Sequence, residues 1–462
     1  MLPFFCLECT APLNIPHQYS CSECGRSYRL LENIPLLVRD EAGYIADMIN
    51  TYFQFLLLKS NEIEKLKNDF KYINSRSNLL ERLTEALNEN NKVIEVFIKK
   101  LEKEDIPLIQ ILKANRPIGN ISHFKDFTYL KRDWCWLAEG EKQLSIITSC
   151  LLKIIDGHFG ELDNALFLGS GVGRIALELM DRFDKVYATD LSFSMMYFFN
   201  ELLQGNELTF YEINYSNTLS DEFVTRKLTA SADRFKRQQD LVNFQKLNYF
   251  ISDVTGLPFL DESLASVFSV YFTDVIALKL FLSEVVRVLK PGGLFVHFGP
   301  LGYGFENVAE KLSANEVKER FRSSGFDIIY EDIIPASHME SDYVMDAIQL
   351  KNWVFVARKH KVGHPTLKTT DLLKLAPGIN YQINGTLFSQ ADQSRNTTVW
   401  TAEGLCYALN EISADIISEV SANALSADQL ISVLKESYVI DDSAVLTDIL
   451  KDLISKRILD FN

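Results

Sequence analysis

A glycine-rich turn within residues 165–190 constrains this chain more than any other stretch of its sequence. A short apolar run leads into the sequence GSGVG at 169–173, an amphipathic segment follows, and a second apolar run ends at Asp190. Glycine allows a sharp turn and a close approach to a ligand because it has no Cβ, and the next helix begins with free N–H groups. Asp190 follows the first glycine by about 20 residues, where βαβ units place the acid that binds a ribose hydroxyl. The pattern predicts a ligand-binding unit of an α/β fold; an ordinary βα turn is the alternative.

The spacing GxGxG resembles the glycine turn of S-adenosylmethionine (SAM) methyltransferases, and VLKPGG at 288–293 resembles a turn before a later strand of those enzymes. The resemblance implies a Rossmann-like class I SAM methyltransferase fold, of class α/β, with SAM as cofactor. It also implies a set of cofactor-binding residues at the carboxyl ends of the strands: Gly169, Gly171 and Gly173 at the methionine end, Asp190 at the ribose and Asp253 at the adenine.

Two CxxC pairs near the N-terminus indicate a metal site, with Cys6, Cys9, Cys21 and Cys24 as ligands. Four thiolates on two turns complete a tetrahedral Zn²⁺ site, and such a closed shell makes the zinc structural. Two disulfides are the alternative, which a reducing cytosol disfavours. The segment 28–37 resembles the end of the zinc ribbon that precedes some bacterial ribosomal-RNA methyltransferases, where the ribbon helps to recognise the substrate.

Composition limits the partners and the location of the protein. The 462 residues are long enough for two or three domains. The formal net charge of -15 argues against broad affinity for nucleic acid or for an anionic membrane surface. Neither a signal peptide nor an apolar stretch of about 20 residues is present, so we expect a cytoplasmic protein that does not span a membrane.

Four segments follow from the pattern along the chain. We expect a zinc ribbon at 1–40, a helical lead-in at 41–128, a SAM-dependent methyltransferase domain at 129–360 and a small α+β domain at 370–462. Apolar residues at helical spacing predict helices from 41 to about 112. The polar segment 206–246 is expected to be an irregular insertion.

The sequence Arg132-Asp133-Trp134, the following Gly140 and the next helix resemble the carnosine N-methyltransferase family, which methylates an imidazole nitrogen with SAM. That family has an acidic–basic pair near the cofactor where this chain has Gln143 and Leu144. Without the family, Arg132 and Asp133 would be interpreted as a surface ion pair beside a tryptophan anchor.

Asp274 is the candidate catalytic residue. It follows a strand predicted at 265–272, and open α/β sheets bind ligands beyond the carboxyl ends of their strands. The sequence YFTD at 271–274 resembles a family motif whose Asp contacts the substrate imidazole. A carboxylate that accepts one ring N–H fixes the tautomer and directs the other nitrogen's lone pair towards the methyl group. A loop cap is the alternative role.

Tyr303 and His297 are the candidate substrate-binding residues. The segment 299–307 resembles the stretch that follows this strand in the family, which has a histidine at the position of Gly304. His297 lies inside the predicted strand, where it is either a core histidine or a residue that reaches the site. Two substrate-facing tyrosines of the family correspond to Gln349 and Leu350, so the cofactor half of the pattern is intact and part of the substrate pocket differs.

The C-terminal segment is predicted to contain a hairpin around Asn384-Gly385 and helices at 401–421, 426–438 and 443–456, with Ser426 as a cap. This pattern resembles PqqD-like peptide-recognition domains, which bind the leader of a precursor peptide as an added edge strand. A winged-helix module for interaction or dimerisation is the alternative.

The combined hypothesis is a SAM-dependent N-methyltransferase that acts on a peptide side chain, imidazole first, of a ribosomally synthesised precursor peptide. Its partner would be that peptide or a small protein, and a homodimer is compatible with the sequence. Three alternatives remain: a small-molecule imidazole methyltransferase, an RNA methyltransferase guided by a basic face at Arg26, Arg29 and Arg39, and a non-catalytic scaffold.

Overall fold

A computed structural model describes residues 4–14, 19–104, 126–160, 163–236, 246–360, 372–375, 380–383, 397–400, 406–409, 411–423, 425–438, 443–455 and 458–461. The predicted turn Asn384-Gly385 lies outside these residues. Among the helices described, none is both long enough and apolar enough to cross a bilayer.

The strands are β1 (Leu13–Asn14), β2 (Tyr19–Cys21), β3 (Ser27–Tyr28), β4 (Leu30–Leu31), β5 (Ile34–Leu37), β6 (Asn164–Leu168), β7 (Lys185–Asp190), β8 (Leu208–Ile213), β9 (Thr225–Ala230), β10 (Leu247–Ser252), β11 (Leu264–Val270), β12 (Leu289–Gly299), β13 (Phe326–His338), β14 (Ile348–Lys359), β15 (Leu372–Leu375), β16 (Asn380–Ile383), β17 (Thr397–Trp400), β18 (Cys406–Leu409), β19 (Leu425–Ser426) and β20 (Leu459–Phe461). The α-helices are α1 (Glu41–Phe70), α2 (Ser77–Leu101), α3 (Asp126–Trp134), α4 (Ala138–His158), α5 (Arg174–Leu179), α6 (Phe193–Gln204), α7 (Asp233–Lys236), α8 (Leu282–Val288), α9 (Ala314–Ser323), α10 (Glu411–Ala422), α11 (Ala427–Ser437) and α12 (Ser443–Ser455).

The largest sheet has the strand order β13-β14-β12-β11-β6-β7-β10-β5-β4. Its central strands β10, β7, β6, β11 and β12 are parallel, and their order is the 3-2-1-4-5 order of doubly wound nucleotide-binding folds. The antiparallel β14 pairs with β12. Strand β6 is buried along its whole length, as a strand covered on both faces should be. This topology confirms the predicted Rossmann-like class I fold.

The N-terminal segment extends this sheet, which the sequence did not indicate. Strand β5 lies parallel to β10, with Leu36 opposite Ile251 and Leu37 opposite Ser252. All four residues of β5 are buried. Helices α1 and α2 follow as the apolar spacing predicts, and Ile49, Tyr52 and Phe97 belong to the same core as the sheet. Residues 105–112 of the predicted helical stretch lie outside the described residues.

The polar segment at 206–246 was expected to be irregular, and that expectation is wrong for its first part. Strands β8 and β9 form an antiparallel hairpin, with Phe210 opposite Leu228. Both side chains are buried in the main core, although polar residues alternate with them. The alternation of polar and apolar residues is therefore the period-two pattern of a half-buried hairpin.

The chain divides into two compact units, the first formed by Met1–Ile276, Arg287–Leu312 and Ile328–Lys359, and the second by Ala277–Val286, Ser313–Asp327 and His360–Asn462. In the second unit β15 pairs with β19 and β20, and β16, β17 and β18 form an antiparallel meander. Helix α11 begins with the predicted cap, since the Ser426 side chain accepts a hydrogen bond from the Gln429 N–H. The helix expected at 401–421 is wrong at its start, because Cys406–Leu409 is a strand paired with β17.

Candidate functional site

The glycine turn between β6 and α5 has the geometry that its sequence predicts. Gly169, Gly171 and Gly173 have φ angles of 55°, 55° and 74°, in the left-handed region. A Cβ on Gly169 would lie 2.2 Å from the Phe272 ring, and one on Gly173 would lie 2.4 Å from the Phe199 ring. A Cβ on Gly171 would approach only Met195, at 4.0 Å. Gly169 and Gly173 therefore allow close packing, whereas Gly171 exposes backbone to open space.

Asp190 lies at the carboxyl end of β7, directly beside this turn. Its Oδ2 accepts a hydrogen bond of 2.9 Å from the Gly171 N–H, and its Oδ1 accepts one of 2.9 Å from the Ser192 N–H. Two hydroxyls next to it, Ser170 Oγ and Thr189 Oγ1, are buried and have no hydrogen-bond partner among the described residues. Buried polar atoms are normally paired, so the turn fits a polar ligand such as the one implied by the sequence.

Helix α3 holds the turn in place through the RDW sequence. The Trp134 indole N–H donates to the Val172 carbonyl within the turn, at 2.9 Å. Arg174, the first residue of α5, donates to the Asp133 carbonyl and lies 4.2 Å from the Trp136 ring centroid. The tryptophan anchor expected from the sequence is therefore present, and its partner is the glycine turn.

Arg132 and Asp133 form a buried ion pair, so the alternative interpretation as a surface pair is wrong. Both residues are buried, and Arg132 Nη2 donates to Asp133 Oδ2 at 2.9 Å. The other terminal nitrogen, Nη1, has no hydrogen-bond partner among the described residues. Charged side chains are usually exposed, so the burial of this pair was not predicted from the sequence.

Tyr271 stands beside this pair at the end of β11. Its φ of 57° is left-handed, a strain of about 1–3 kcal/mol that is typical of functional sites. Burial raises the pKa of Tyr271, while Arg132, Gln143 and Asn352 nearby act in the opposite direction, and the phenol stays neutral. Backbone contacts fix both amides: Gln143 Oε1 accepts from the Met339 N–H, and Asn352 Nδ2 donates to the Ile334 carbonyl, each at 3.1 Å.

These residues form a polar end of the site that the sequence indicated only in part. The sequence identified Gln143 as a departure from the family pattern and Tyr271 as part of the YFTD motif. Asn352 was missed, although it is a fully buried amide beside the apolar run of β14. A lone polar residue at the edge of an apolar strand was the available signal.

Asp274 and Tyr303 lie on the loops that follow β11 and β12. Asp274 is half-buried, and its Oδ2 accepts a hydrogen bond of 2.9 Å from the Gly302 N–H. The Tyr303 hydroxyl donates to the Leu312 carbonyl at 2.8 Å, and its ring centroid is 5.2 Å from that of Phe305. The hydrogen bond between Gly302 and Asp274 thus joins the Asp274 loop to the loop that carries Tyr303. The Tyr303 hydroxyl is used in a hydrogen bond within its own loop.

His297 lies in the core, which is the first of the two roles that the sequence left open for it. It is fully buried on β12, where Nε2 is 3.2 Å from the Gly299 carbonyl and Nδ1 is 3.0 Å from Thr273 Oγ1. The carbonyl can only accept, so Nε2 carries the proton and Nδ1 accepts from the threonine hydroxyl. Burial lowers the pKa of His297 to about 3, so the ring is neutral. The histidine therefore positions Thr273, the residue before Asp274.

Asp253 follows β10 at the same edge of the sheet. Its Oδ1 accepts hydrogen bonds from the Thr255 N–H at 2.9 Å and from Thr255 Oγ1 at 2.8 Å. It lines a cavity of about 580 Å³ together with Leu191, the residue after Asp190. The structure thereby brings the expected ribose and adenine acids to one region at the carboxyl ends of β7 and β10.

The four N-terminal cysteines converge as a metal site requires. Their sulfur atoms lie within 4.8 Å of one another, with Cys6 Sγ 3.6 Å from Cys24 Sγ and Cys9 Sγ 3.3 Å from Cys21 Sγ. Thiolates around one Zn²⁺ would stand about 3.8 Å apart. All four are free thiols, which excludes the disulfide alternative in this structure. The residues therefore fit a structural zinc ion.

The expected basic face near the ribbon is largely neutralised. Arg26 and Arg29 both approach the Glu41 carboxylate, at 3.4 and 3.3 Å, and Arg29 also approaches Glu104 at 3.3 Å. Acidic partners therefore offset two of the three arginines that the RNA hypothesis requires.

The profile of the carnosine N-methyltransferase family matches residues 117–362. Carnosine N-methyltransferases of Rattus norvegicus and Mus musculus are each 30% identical over 84 residues, which is 17% of this chain and 21% of each relative, so the alignment spans a small part of their length.

Solved structures also show similarity. A chain from the complex of the Haloferax volcanii Trm112 methyltransferase activator with a methyltransferase is 18% identical, with a TM-score of 0.34, over 53% of this chain and 100% of that chain. A SAM-dependent methyltransferase of Methanosarcina mazei is 17% identical, with a TM-score of 0.30, over 45% of this chain and 97% of that one.

Proposed function

This chain belongs to the carnosine N-methyltransferase family, and from that premise we propose that it is a SAM-dependent N-methyltransferase acting on an imidazole nitrogen. The observation that carries the proposal is the left-handed glycine turn hydrogen-bonded to Asp190, with Asp274 after the neighbouring strand β11. Substrate and cofactor sites would thus share the carboxyl edge of one sheet.

The residues of the turn would hold SAM. Gly171 would approach the methionine end, the Asp190 carboxylate would accept from the ribose hydroxyls, and Asp253 would accept from the adenine amino group. The buried Arg132 Nη1, which has no hydrogen-bond partner among the described residues, is a donor that suits a carboxylate. When bound, SAM supplies an electrophilic methyl group on a sulfonium.

Asp274 would orient the nucleophile. Its carboxylate would accept the N–H of one imidazole nitrogen, which leaves the lone pair of the other nitrogen directed at the methyl group. Transfer of the methyl group from the sulfonium sulfur to that nitrogen would leave a neutral thioether and a cationic ring. The Asp274 carboxylate would stabilise this charge and accept the remaining N–H proton. The Gly302 N–H holds Asp274 in place for this role. In-line placement of the two reactants would supply further rate enhancement.

For the substrate, we propose a histidine side chain in a ribosomally synthesised precursor peptide. The second unit supports this choice, because its meander of β16, β17 and β18 is followed by three helices with their own apolar core. Such a sheet can accept a peptide as an added edge strand. The alternative substrate is a small imidazole dipeptide, which the names of the rat and mouse relatives favour.

Calorimetry with SAM and intact-mass spectrometry test these proposals on the full chain. We expect SAM to bind and a histidine-containing precursor peptide to gain the mass of one methyl group, faster with its leader than without it. Methylation of carnosine alone would replace the peptide by the small-molecule substrate. Absence of SAM binding would contradict the proposed activity and favour a scaffold, for which the departures at Gln143, Leu144, Gly304, Gln349 and Leu350 argue.

A further inference from the structure

A cavity of about 580 Å³ lies beyond the carboxyl ends of β7 and β10, and most of its lining residues come from the N-terminal segment. Leu191, Asp253 and Thr255 line it from the main sheet, while Val38, Asp47 and Met48 line it from the end of β5 and from α1. Its volume is within the range of about 300–1,000 Å³ that is usual for small-ligand pockets.

The strand register explains why the N-terminal segment reaches this place. Strand β5 is parallel to β10, and Leu37 is opposite Ser252. The next residues, Val38 and Asp253, therefore leave the sheet side by side at its carboxyl edge. An added parallel strand thus extends the ligand-binding edge of the fold by one position.

Hydrogen bonds join α1 to the loop that follows Asp190 and to the start of α6. The Tyr44 hydroxyl donates to the Leu191 carbonyl at 2.7 Å, and the Tyr52 hydroxyl accepts from the Ser194 N–H at 3.1 Å. Tyr44 and Tyr52 are both buried. Helix α1 therefore has a defined position against the Asp190 loop.

We infer that Val38 and the first two turns of α1 form the outer wall of the pocket for the adenosyl half of the cofactor. This inference rests on the proposed function. Met48 and Val38 would offer an apolar surface to the purine, and Asp47, which lines the same cavity as Asp253, would be an acceptor for amino or hydroxyl groups of the nucleoside. The methionine half would contact the glycine turn and not this wall.

Calorimetry with S-adenosylhomocysteine and with 5′-methylthioadenosine, which share the adenosyl half, tests the wall directly. Met48→Trp adds bulk inside the cavity and should weaken both ligands at least tenfold. Leu57→Trp is the matched control, because Leu57 lies on the same helix with 63% of its surface exposed and does not line the cavity. It should leave both affinities within twofold.

Asp47→Asn keeps the shape of the wall and removes one charge. It is the second test of the wall, needed if Met48→Trp lowers the melting temperature. It should weaken both ligands at least threefold. Unchanged affinities in both variants, with normal binding by the unaltered chain, would overturn this inference and leave the proposed function standing. If the unaltered chain binds neither ligand, the proposed function fails, and this inference fails with it.

Discussion

Asp274 is the residue on which the proposed chemistry depends most directly, since it is half-buried and held by the Gly302 N–H. Asp274→Asn removes the charge that would stabilise the imidazolium, so we expect kcat to fall by about 10²–10⁴. Affinity for S-adenosylhomocysteine should stay within twofold, because Asp274 is not a predicted cofactor ligand. Asp261→Asn, at a carboxylate with 73% exposure, is the control. A normal rate in Asp274→Asn would remove Asp274 from the mechanism.

His297 predicts a pH dependence of stability. Burial depresses its pKa from the ordinary 6.5 to about 3, so below pH 6.5 the unfolded chain binds a proton that the folded chain does not. The stability due to His297 is therefore complete above pH 6.5 and is lost as the pH falls, by about 1.4 kcal/mol per unit.

His297→Asn has no titrating ring at this position, so a comparison with the unaltered chain isolates the contribution of His297. Denaturant unfolding of both proteins at several pH values should show the unaltered chain more stable at pH 7, with the difference shrinking below pH 6.5. A difference that is constant from pH 7 to pH 5 would show that the ring is not held neutral.

At the scale of elements, two glycines of the same turn should have different roles: Gly173 allows close packing, and Gly171 allows a ligand to approach. Gly173→Ala places a Cβ 2.4 Å from the Phe199 ring at a φ of 74°, and we expect it to destabilise the fold by more than about 2 kcal/mol. Gly171→Ala meets only Met195, at 4.0 Å, so its cost should be limited to backbone strain of about 1–2 kcal/mol.

In cofactor binding the order of the two variants should be reversed, so that Gly171→Ala has the larger effect. Gly171→Ala should weaken S-adenosylhomocysteine at least tenfold, because its new methyl group fills the open side of the turn. Thermal unfolding and calorimetry on both proteins check the contrast. Equal loss of affinity and of stability in both variants would mean that the turn acts as one structural unit.

Local patterns predicted this turn because all of its information lies within residues 165–190, where glycines, apolar strands and Asp190 follow one another. Strand β5 was missed for the opposite reason: Leu37 pairs with Ser252, far along the chain, and local sequence carries no signal for such a pairing. Strand β18 was misassigned because Cys406–Leu409 is short and apolar, and such runs do not distinguish helix from strand.

The residues of the candidate site also divide into those that local sequence predicts and those that depend on tertiary packing. Asp190 and Asp274 were predictable from their positions after strands. The left-handed Tyr271, the buried Arg132–Asp133 pair and the buried amide of Asn352 depend on tertiary packing. His297 was predicted with two roles left open, and only the burial of its ring decided between them.

At the scale of the whole molecule, the zinc ribbon is joined to the main sheet. The Phe5 N–H donates to the Pro258 carbonyl at 3.0 Å, and the Phe4 ring centroid is 4.8 Å from that of Phe250 on β10. Leu7, within the first CxxC pair, lines the cavity that Asp253 also lines. Loss of the ribbon should therefore disturb the cavity.

Removal of zinc should show this coupling. A small ribbon folds around its metal, so chelation should release one zinc per chain, lower the melting temperature and weaken S-adenosylhomocysteine at least threefold. Cys9→Ser should reproduce all three effects. Cys135→Ser is the matched control, since burial raises the pKa of the Cys135 thiol to about 12 and the residue is not part of the cysteine cluster. If elemental analysis shows that zinc is lost while affinity for S-adenosylhomocysteine is unchanged, the ribbon is independent of the cavity, and its contacts through Phe4 and Phe5 serve attachment alone.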